Sequence, residues 1–168
     1  KSLEEKDLYK VLKTKTDIKD QDMITFYSKL SNGSVGEALN LYENDSKKIF
    51  DALCAFIINI KAANIAMLDK HIITLKDMSN KTKFVSIFFK LYILILVKSL
   101  KLKSNITPTY LYETEKNAVE KICTEVSFDN IFLVLEYAQN LNSDINDYNI
   151  EIKNSIYTSL IKLKNIFN

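Results

Sequence analysis

The chain has 168 residues, of which 47% are hydrophobic and 26% charged, enough for one domain, or for one domain plus a small remnant of another. Its formal net charge is +2, with lysines and carboxylates intermixed, which excludes the dense basic stripe of a nucleic-acid groove. Arginine does not occur, so this sequence supplies no arginine finger and no bidentate guanidinium clamp on phosphate. Because the chain starts at Lys1 and its first methionine is Met23, we expect a piece of a longer protein.

Glycine and proline are scarce, and Gly33, Gly36 and Pro108 are the complete set. Sheets with tight hairpins and loops that hold nucleotides both need glycine-rich turns. Apolar residues instead recur every three or four positions, and alternation with a period of two never persists. The sequence therefore predicts an all-α fold of about eight helices.

The first predicted helices are short. A weak helical pattern covers residues 2–13, and Asp20 is placed to cap a second helix. Gly33 suits the left-handed turn that ends this helix, and Ser34 suits the N-cap of a third helix. The polar break at residues 44–46 is the predicted domain boundary.

A longer helical bundle is predicted after this break. Its expected helices lie at about residues 49–60, 62–78 and 81–102, then from Thr107–Pro108, from Ser127, and over residues 152–167. The apolar run at residues 84–97 is shorter than the roughly 20 residues of a membrane-spanning helix. It predicts a central helix that is buried on nearly every side.

One apolar stripe is predicted along the helix that Ser127 caps. Its members are Phe128, Ile131, Leu135, Ala138 and Leu141. Their spacing of three or four residues places them on one face of the helix.

Residues that carry catalysis or bind metals form no recognisable set. His71 is the only histidine and has no ligating partners near it in sequence, so it is predicted to be structural or solvent-facing. Cys54 and Cys123 lie in apolar helical patterns and are predicted to be buried free thiols. The acidic residues between 144 and 151 lack the glycine-turned loop of a calcium site. We therefore expect no catalytic residues, no cofactor and no metal in this chain.

The segment LSNGSVGEALNLYEND, residues 30–45, predicts a helix-to-helix corner with close packing. It also resembles a motif in the lid domain of bacterial clamp-loader subunits. In the ATP-hydrolysing gamma and tau subunits the pattern is Gly-Ser-x-Arg-x-Ala-Leu, and its arginine touches ATP. Gly36 stands at the arginine position here, as in the delta-prime pattern Gly-Ser-Pro-Gly-x-Ala-Leu, with Val35 in place of proline. The motif residues are structural ones: Gly33, Ser34, Gly36, Ala38 and Leu39.

Three further segments resemble the collar domain of delta-prime subunits. Residues 44–57 are similar to its first helix, residues 84–100 to its long apolar helix, and residues 126–167 to its last two helices. Within residues 148–160, an isoleucine and a serine replace a leucine and an aspartate of the family pattern. The resemblance thus follows the helix order over nearly the whole chain.

The resemblance implies a non-catalytic subunit fragment of the bacterial DNA polymerase III clamp loader, a cytoplasmic complex that loads the sliding clamp on primed DNA. Residues 1–43 would be the end of an AAA+-type lid domain, and residues 44–168 a helical collar domain that joins the pentamer. The implied partners are the gamma or tau and delta subunits, with DNA reached only through the complex, and neither a membrane nor a small-molecule substrate. The parent complex is an ATPase within the polymerase holoenzyme, whereas this fragment is not expected to bind nucleotide.

Three alternatives come from other classes of protein. A collar fragment of the ATP-hydrolysing gamma or tau subunit is opposed by Gly36. An unrelated helical interaction module would expose a contiguous apolar groove. Direct DNA binding, with an affinity that falls steeply with salt, is opposed by the balanced charge.

Overall fold

The computed structural model describes residues 3–16, 18, 20–63, 81–147 and 152–167. These residues contain eight α-helices and no strand, which confirms the all-α prediction. In chain order the helices are α1 (Glu5–Lys15), α2 (Gln21–Leu30), α3 (Val35–Glu43), α4 (Ser46–Ile58), α5 (Lys81–Lys103), α6 (Glu113–Glu125), α7 (Phe128–Asp147) and α8 (Ile152–Asn165). The helix predicted at residues 62–78 lies, from residue 64 onward, outside the described residues.

The chain divides into two compact units, Lys1–Lys48 and Ile49–Asn168, and the division falls inside α4. In the first unit, α1, α2 and α3 all pack against one another. Their apolar faces supply its core: Leu8, Leu12, Ile24, Phe26, Tyr27, Ala38 and Leu41. The Tyr27 ring meets the rings of Phe26 and Tyr42 edge-on, at centroid distances of 5.3 and 5.8 Å. Edge-to-face aromatic contacts of this kind add to the stabilisation from burial.

In the second unit α5 is the central helix, packed against α6, α7 and α8. Its buried side chains face several directions, as the sequence predicted: Phe84, Val85, Ile87, Phe88, Phe89, Leu91, Tyr92, Ile95 and Leu96. The Tyr92 hydroxyl donates a hydrogen bond of 3.2 Å to the carbonyl of Ser159 on α8, and burial raises the pKa of Tyr92. A buried phenol is thereby satisfied, which fixes α8 against α5.

The apolar run at residues 84–97 is too short to cross a membrane as a helix. Within the described ranges, no helix combines the length and the hydropathy that crossing a bilayer requires.

The predicted start of α6 at Thr107–Pro108 is wrong. Pro108 is buried in a non-helical segment, and the helix begins at Glu113 after an extended Tyr112 with φ −146°. The physical reason lies in Glu115, whose carboxylate accepts a hydrogen bond from the backbone N–H of Leu111. This contact satisfies a donor just outside the helix and holds the chain extended up to its first turn.

Candidate functional site

The corner between α2 and α3, residues 31–36, is held by one local and one long-range backbone hydrogen bond. Asn32 and Gly33 both have positive φ, at 48° and 83°, and reverse the chain after α2. The Ser34 N–H donates to the Ser31 carbonyl at 2.9 Å, and the Leu3 N–H donates to the Gly33 carbonyl at 2.9 Å. The left-handed turn predicted at Gly33 is confirmed, and it directs the chain into α3.

The first turn of α3 contains the residues that the sequence singled out. The Ser34 hydroxyl accepts a hydrogen bond of 3.3 Å from the Glu37 N–H, which confirms the predicted N-cap. Ala38 is buried and Leu39 half-buried, so both contribute to packing. Gly36 is exposed, and a Cβ atom added there would meet nothing within 4 Å. The close packing predicted for the corner is therefore wrong at Gly36, because this residue lies on the solvent side of α3.

The N-terminus of α3 is poorly suited to hold a phosphate. Helix N-termini attract anions through unpaired N–H groups and the helix dipole. Here the Ser34 hydroxyl already accepts a hydrogen bond from one of these N–H groups, that of Glu37, and the Glu37 side chain adds a negative charge in the same turn. The arrangement favours a structural corner over an anion site.

The other candidate residues are not brought together. His71 and the side chains of the acidic residues between 144 and 151 lie outside the described residues. Cys54 is buried and forms no disulfide, as predicted, whereas Cys123 forms none but is only half-buried, because it stands one position around α6 from the buried Ile122. In the part of the chain that the structure describes, no three histidines, cysteines or carboxylates are grouped as a metal site requires.

A buried ion pair that we call the brace joins α5 to α6, and sequence reasoning missed it. Glu115 is fully buried, and its carboxylate accepts hydrogen bonds from the Lys98 ammonium and from the Leu111 N–H. The Lys98 side chain is only 13% exposed. Both carboxylate oxygens are thus satisfied, as a buried charge requires.

A signal for the brace was present in the sequence. Glu115 stands at the head of the stripe that Ala118, Val119 and Ile122 continue, at spacings of three, four and seven. A carboxylate at the first position of an apolar stripe is directed toward the core and needs a buried cation as partner.

A row of uncharged side chains, all but one of them exposed, lies along one side of α7. We call it the α7 flank: Phe128, Phe132, Leu135, Gln139 and Ser143. Phe128 and Phe132 are 44% and 50% exposed, whereas Leu135 between the exposed members of the row is buried. Phe128, which the spacing placed in one stripe with Ile131, is exposed, because it opens the helix and lies beside the core stripe that begins at Ile131. The Ser127 cap is confirmed, since its hydroxyl accepts a 3.3 Å hydrogen bond from Asn130 N–H.

Comparisons of the chain with family models, with curated proteins and with solved structures found no match.

Proposed function

We propose that this chain is the lid end and collar of a delta-prime-type subunit of a bacterial DNA polymerase clamp loader. In this role residues 44–168 contact the gamma or tau and delta subunits and hold the pentamer together without catalysing a reaction. The proposal rests on the resemblance of residues 30–45 and of the later helices to that family.

The observation that carries the non-catalytic role is the environment of Gly36. A side chain at this position would extend from the first turn of α3 into open space, so packing does not demand a glycine. In the motor subunits that the motif resembles, this position carries the arginine that touches ATP. Glycine there leaves a solvent-facing helix start without a group to sense nucleotide, and no arginine elsewhere in the sequence replaces it.

The test is reconstitution with the gamma or tau and delta subunits of the same organism, followed by size-exclusion chromatography. We expect one complex that contains all three proteins and no binding heat when ATP is titrated into the chain alone. If the chain elutes by itself in the presence of both partners, or if it binds ATP with micromolar affinity, the proposal is wrong.

A second candidate is a helical interaction module that has no link to replication. The exposed Phe128 and Phe132 favour it, because large aromatic side chains at the surface are typical of protein interfaces. The same reconstitution distinguishes the two candidates, since only a clamp-loader subunit joins that particular complex.

A further inference from the structure

We infer that the α7 flank is a docking surface for a single amphipathic helix of a partner protein, one whose apolar side chains are bordered by lysine or arginine. The inference goes beyond the proposed function, because it follows from the chemistry of α7 whichever protein supplies the helix.

The geometry of the α7 flank matches the side of another helix. Its residues are separated by four, three, four and four positions, so they follow one line along α7. The line from Phe128 to Ser143 is about 22 Å long at 1.5 Å per residue, about four helical turns. A partner helix of this length that presents apolar residues at every third or fourth position would cover both phenylalanines and reach the polar end.

The described helices of the second unit pack on other sides of α7. The core-facing residues are Ile131, Val134 and Ala138, which are buried on the side of α5. The Lys162 ammonium of α8 lies 4.1 Å from the centre of the Tyr137 ring. Tyr137 is about 140° around the helix from Phe132. Helices α5 and α8 therefore occupy other sides of α7, which explains why Phe128 and Phe132 remain half-exposed.

Charge identifies the kind of partner. The whole of α7 has four acidic residues and no basic one, in a chain whose net charge is +2. Asp129 and Glu136 are exposed beside the α7 flank, and neither forms an ion pair with any of the described residues. A helix with basic residues along its apolar stripe would meet the phenylalanines and both carboxylates at once.

The negative charges of Asp129 and Glu136 disfavour two other partners for the α7 flank. Two copies of α7 packed against each other would bring Asp129 and Glu136 of one copy near those of the other, and like charges at an interface are unfavourable. An anionic lipid surface would repel the same carboxylates, since helices that lie on such membranes have lysine or arginine on their polar face.

The probe for this surface is a fluorescent helical peptide of about 18 residues, or five turns, with a leucine stripe bordered by lysines. A matched peptide has glutamate in place of each lysine. With the full chain, fluorescence anisotropy should show binding of the lysine peptide at least about tenfold tighter than that of the glutamate peptide, and added salt should narrow this difference. Equal binding of the two peptides would overturn the inference.

Two substitutions on α7 locate the surface. Phe132 and Leu133 are neighbours with nearly equal exposure, 50% and 53%, but they face directions about 100° apart. We expect Phe132→Ser to weaken binding of the lysine peptide by about tenfold, and Leu133→Ser to change it by less than about twofold. Equal losses in the two variants would show non-specific apolar contact and would refute the assignment. Because both side chains are exposed, the far-UV circular dichroism of both variants should match that of the parent chain.

Neutralising the border tests the charge argument separately. The double variant Asp129→Asn/Glu136→Gln should bind the lysine peptide about three- to tenfold more weakly than the parent chain does, and this affinity should depend less on salt. Its affinity for the glutamate peptide should not fall. A dimer of the chain in size-exclusion chromatography that Phe132→Ser abolishes would show instead that a second copy covers α7. Either that dimer or an unchanged affinity in the double variant would overturn the basic-helix assignment.

Discussion

The α2–α3 corner and the brace between α5 and α6 are both held by polar contacts, yet they differ in exposure to solvent. The corner uses two hydrogen bonds among residues three positions apart and one from the distant Leu3 N–H, and its residues Ser34 and Gly36 are exposed. The brace joins Lys98 to a fully buried Glu115, seventeen residues later and on another helix. Water can replace a lost contact at the corner but cannot reach Glu115. The comparison therefore indicates that burial decides how much each contact contributes to stability.

The largest effect is expected from breaking the brace. Replacing Glu115 with alanine leaves the Lys98 ammonium without its partner in a mostly buried position and removes the acceptor of Leu111 N–H. We expect the free energy of unfolding of the second unit to fall by about 3–5 kcal/mol. Hydrogen exchange followed by mass spectrometry should show faster exchange in α5 and α6, with α1 to α3 unchanged as an internal control.

Two further variants separate the ion pair from the backbone contact. Glu115→Gln retains an oxygen that accepts from Leu111 N–H but removes the charge, so it should be less damaging than alanine. Adding Lys98→Met to Glu115→Gln removes the unpaired cation and should restore part of the lost stability. If the double variant were as unstable as the sum of the single ones, the two side chains would not be coupled and the brace would be refuted.

The corner was predictable from the sequence because its rules are local. Ser34 and Ser127 cap helices that start at the next residue, and Gly33 adopts the left-handed conformation that glycine tolerates best. The α6 start was not predictable in this way. Thr107–Pro108 carries a strong local signal, but Glu115 binds the Leu111 N–H and is itself positioned by a lysine on α5. Pairing of distant residues depends on how helices pack, which spacing alone does not reveal.

The candidate functional residues were likewise only partly predictable. The sequence identified the residues of the glycine motif, but not that Gly36 faces open space, since a helical glycine has the same local pattern in a packed and in an exposed position. The α7 flank was missed because Phe128 fits the buried stripe by spacing. Its exposure depends on where the core ends, and that is set by the neighbouring helices α5 and α8.

A smaller effect is expected from removing the α3 cap. Ser34→Ala deletes the acceptor of the Glu37 N–H and should destabilise the first unit by about 1 kcal/mol, well below the loss at Glu115. Chemical denaturation combined with hydrogen exchange over α1 to α3 measures it. Ser34→Asp, which keeps an acceptor and places a negative charge at the helix start, is the matched control and should retain the stability. A loss of more than about 3 kcal/mol in Ser34→Ala would contradict the contrast with the brace.

Alanine substitutions at the two glycines of the corner should change the stability of the first unit in opposite directions. Gly36→Ala adds a methyl group in open space on a helix and should stabilise the first unit by up to about 1 kcal/mol. Gly33→Ala places a Cβ on a residue with φ 83° and should destabilise it by about 1 kcal/mol. Thermal unfolding monitored by circular dichroism gives the unfolding midpoints of both variants for comparison with that of the parent chain. Equal shifts of the same sign would mean that the backbone at Gly33 does not set the turn.

The smallest effect, and the sharpest test of burial against sequence separation, is expected at Glu125. This exposed carboxylate accepts one hydrogen bond from Lys121 at 2.8 Å and is 3.1 Å from the ammonium of the distant Lys61. The hydrogen bond from Lys121, followed by that from Lys61, lowers the pKa of Glu125. A carboxylate with a lowered pKa in the folded state stabilises the fold above its unfolded pKa of about 4.3 and loses this contribution as the pH falls through the folded value.

Glu125→Gln should therefore reduce stability slightly at neutral pH and flatten the decline in stability below about pH 4.3. Glu120→Gln, on the same helix and without an ion pair to any described residue, is the control and should leave that decline unchanged. Urea denaturation at a series of pH values measures both. Lys61 is farther from Glu125 in sequence than Lys98 is from Glu115. If Glu125→Gln lowered the free energy of unfolding as much as Glu115→Gln, the sequence separation of two paired residues rather than their burial would determine how much the pair contributes to stability.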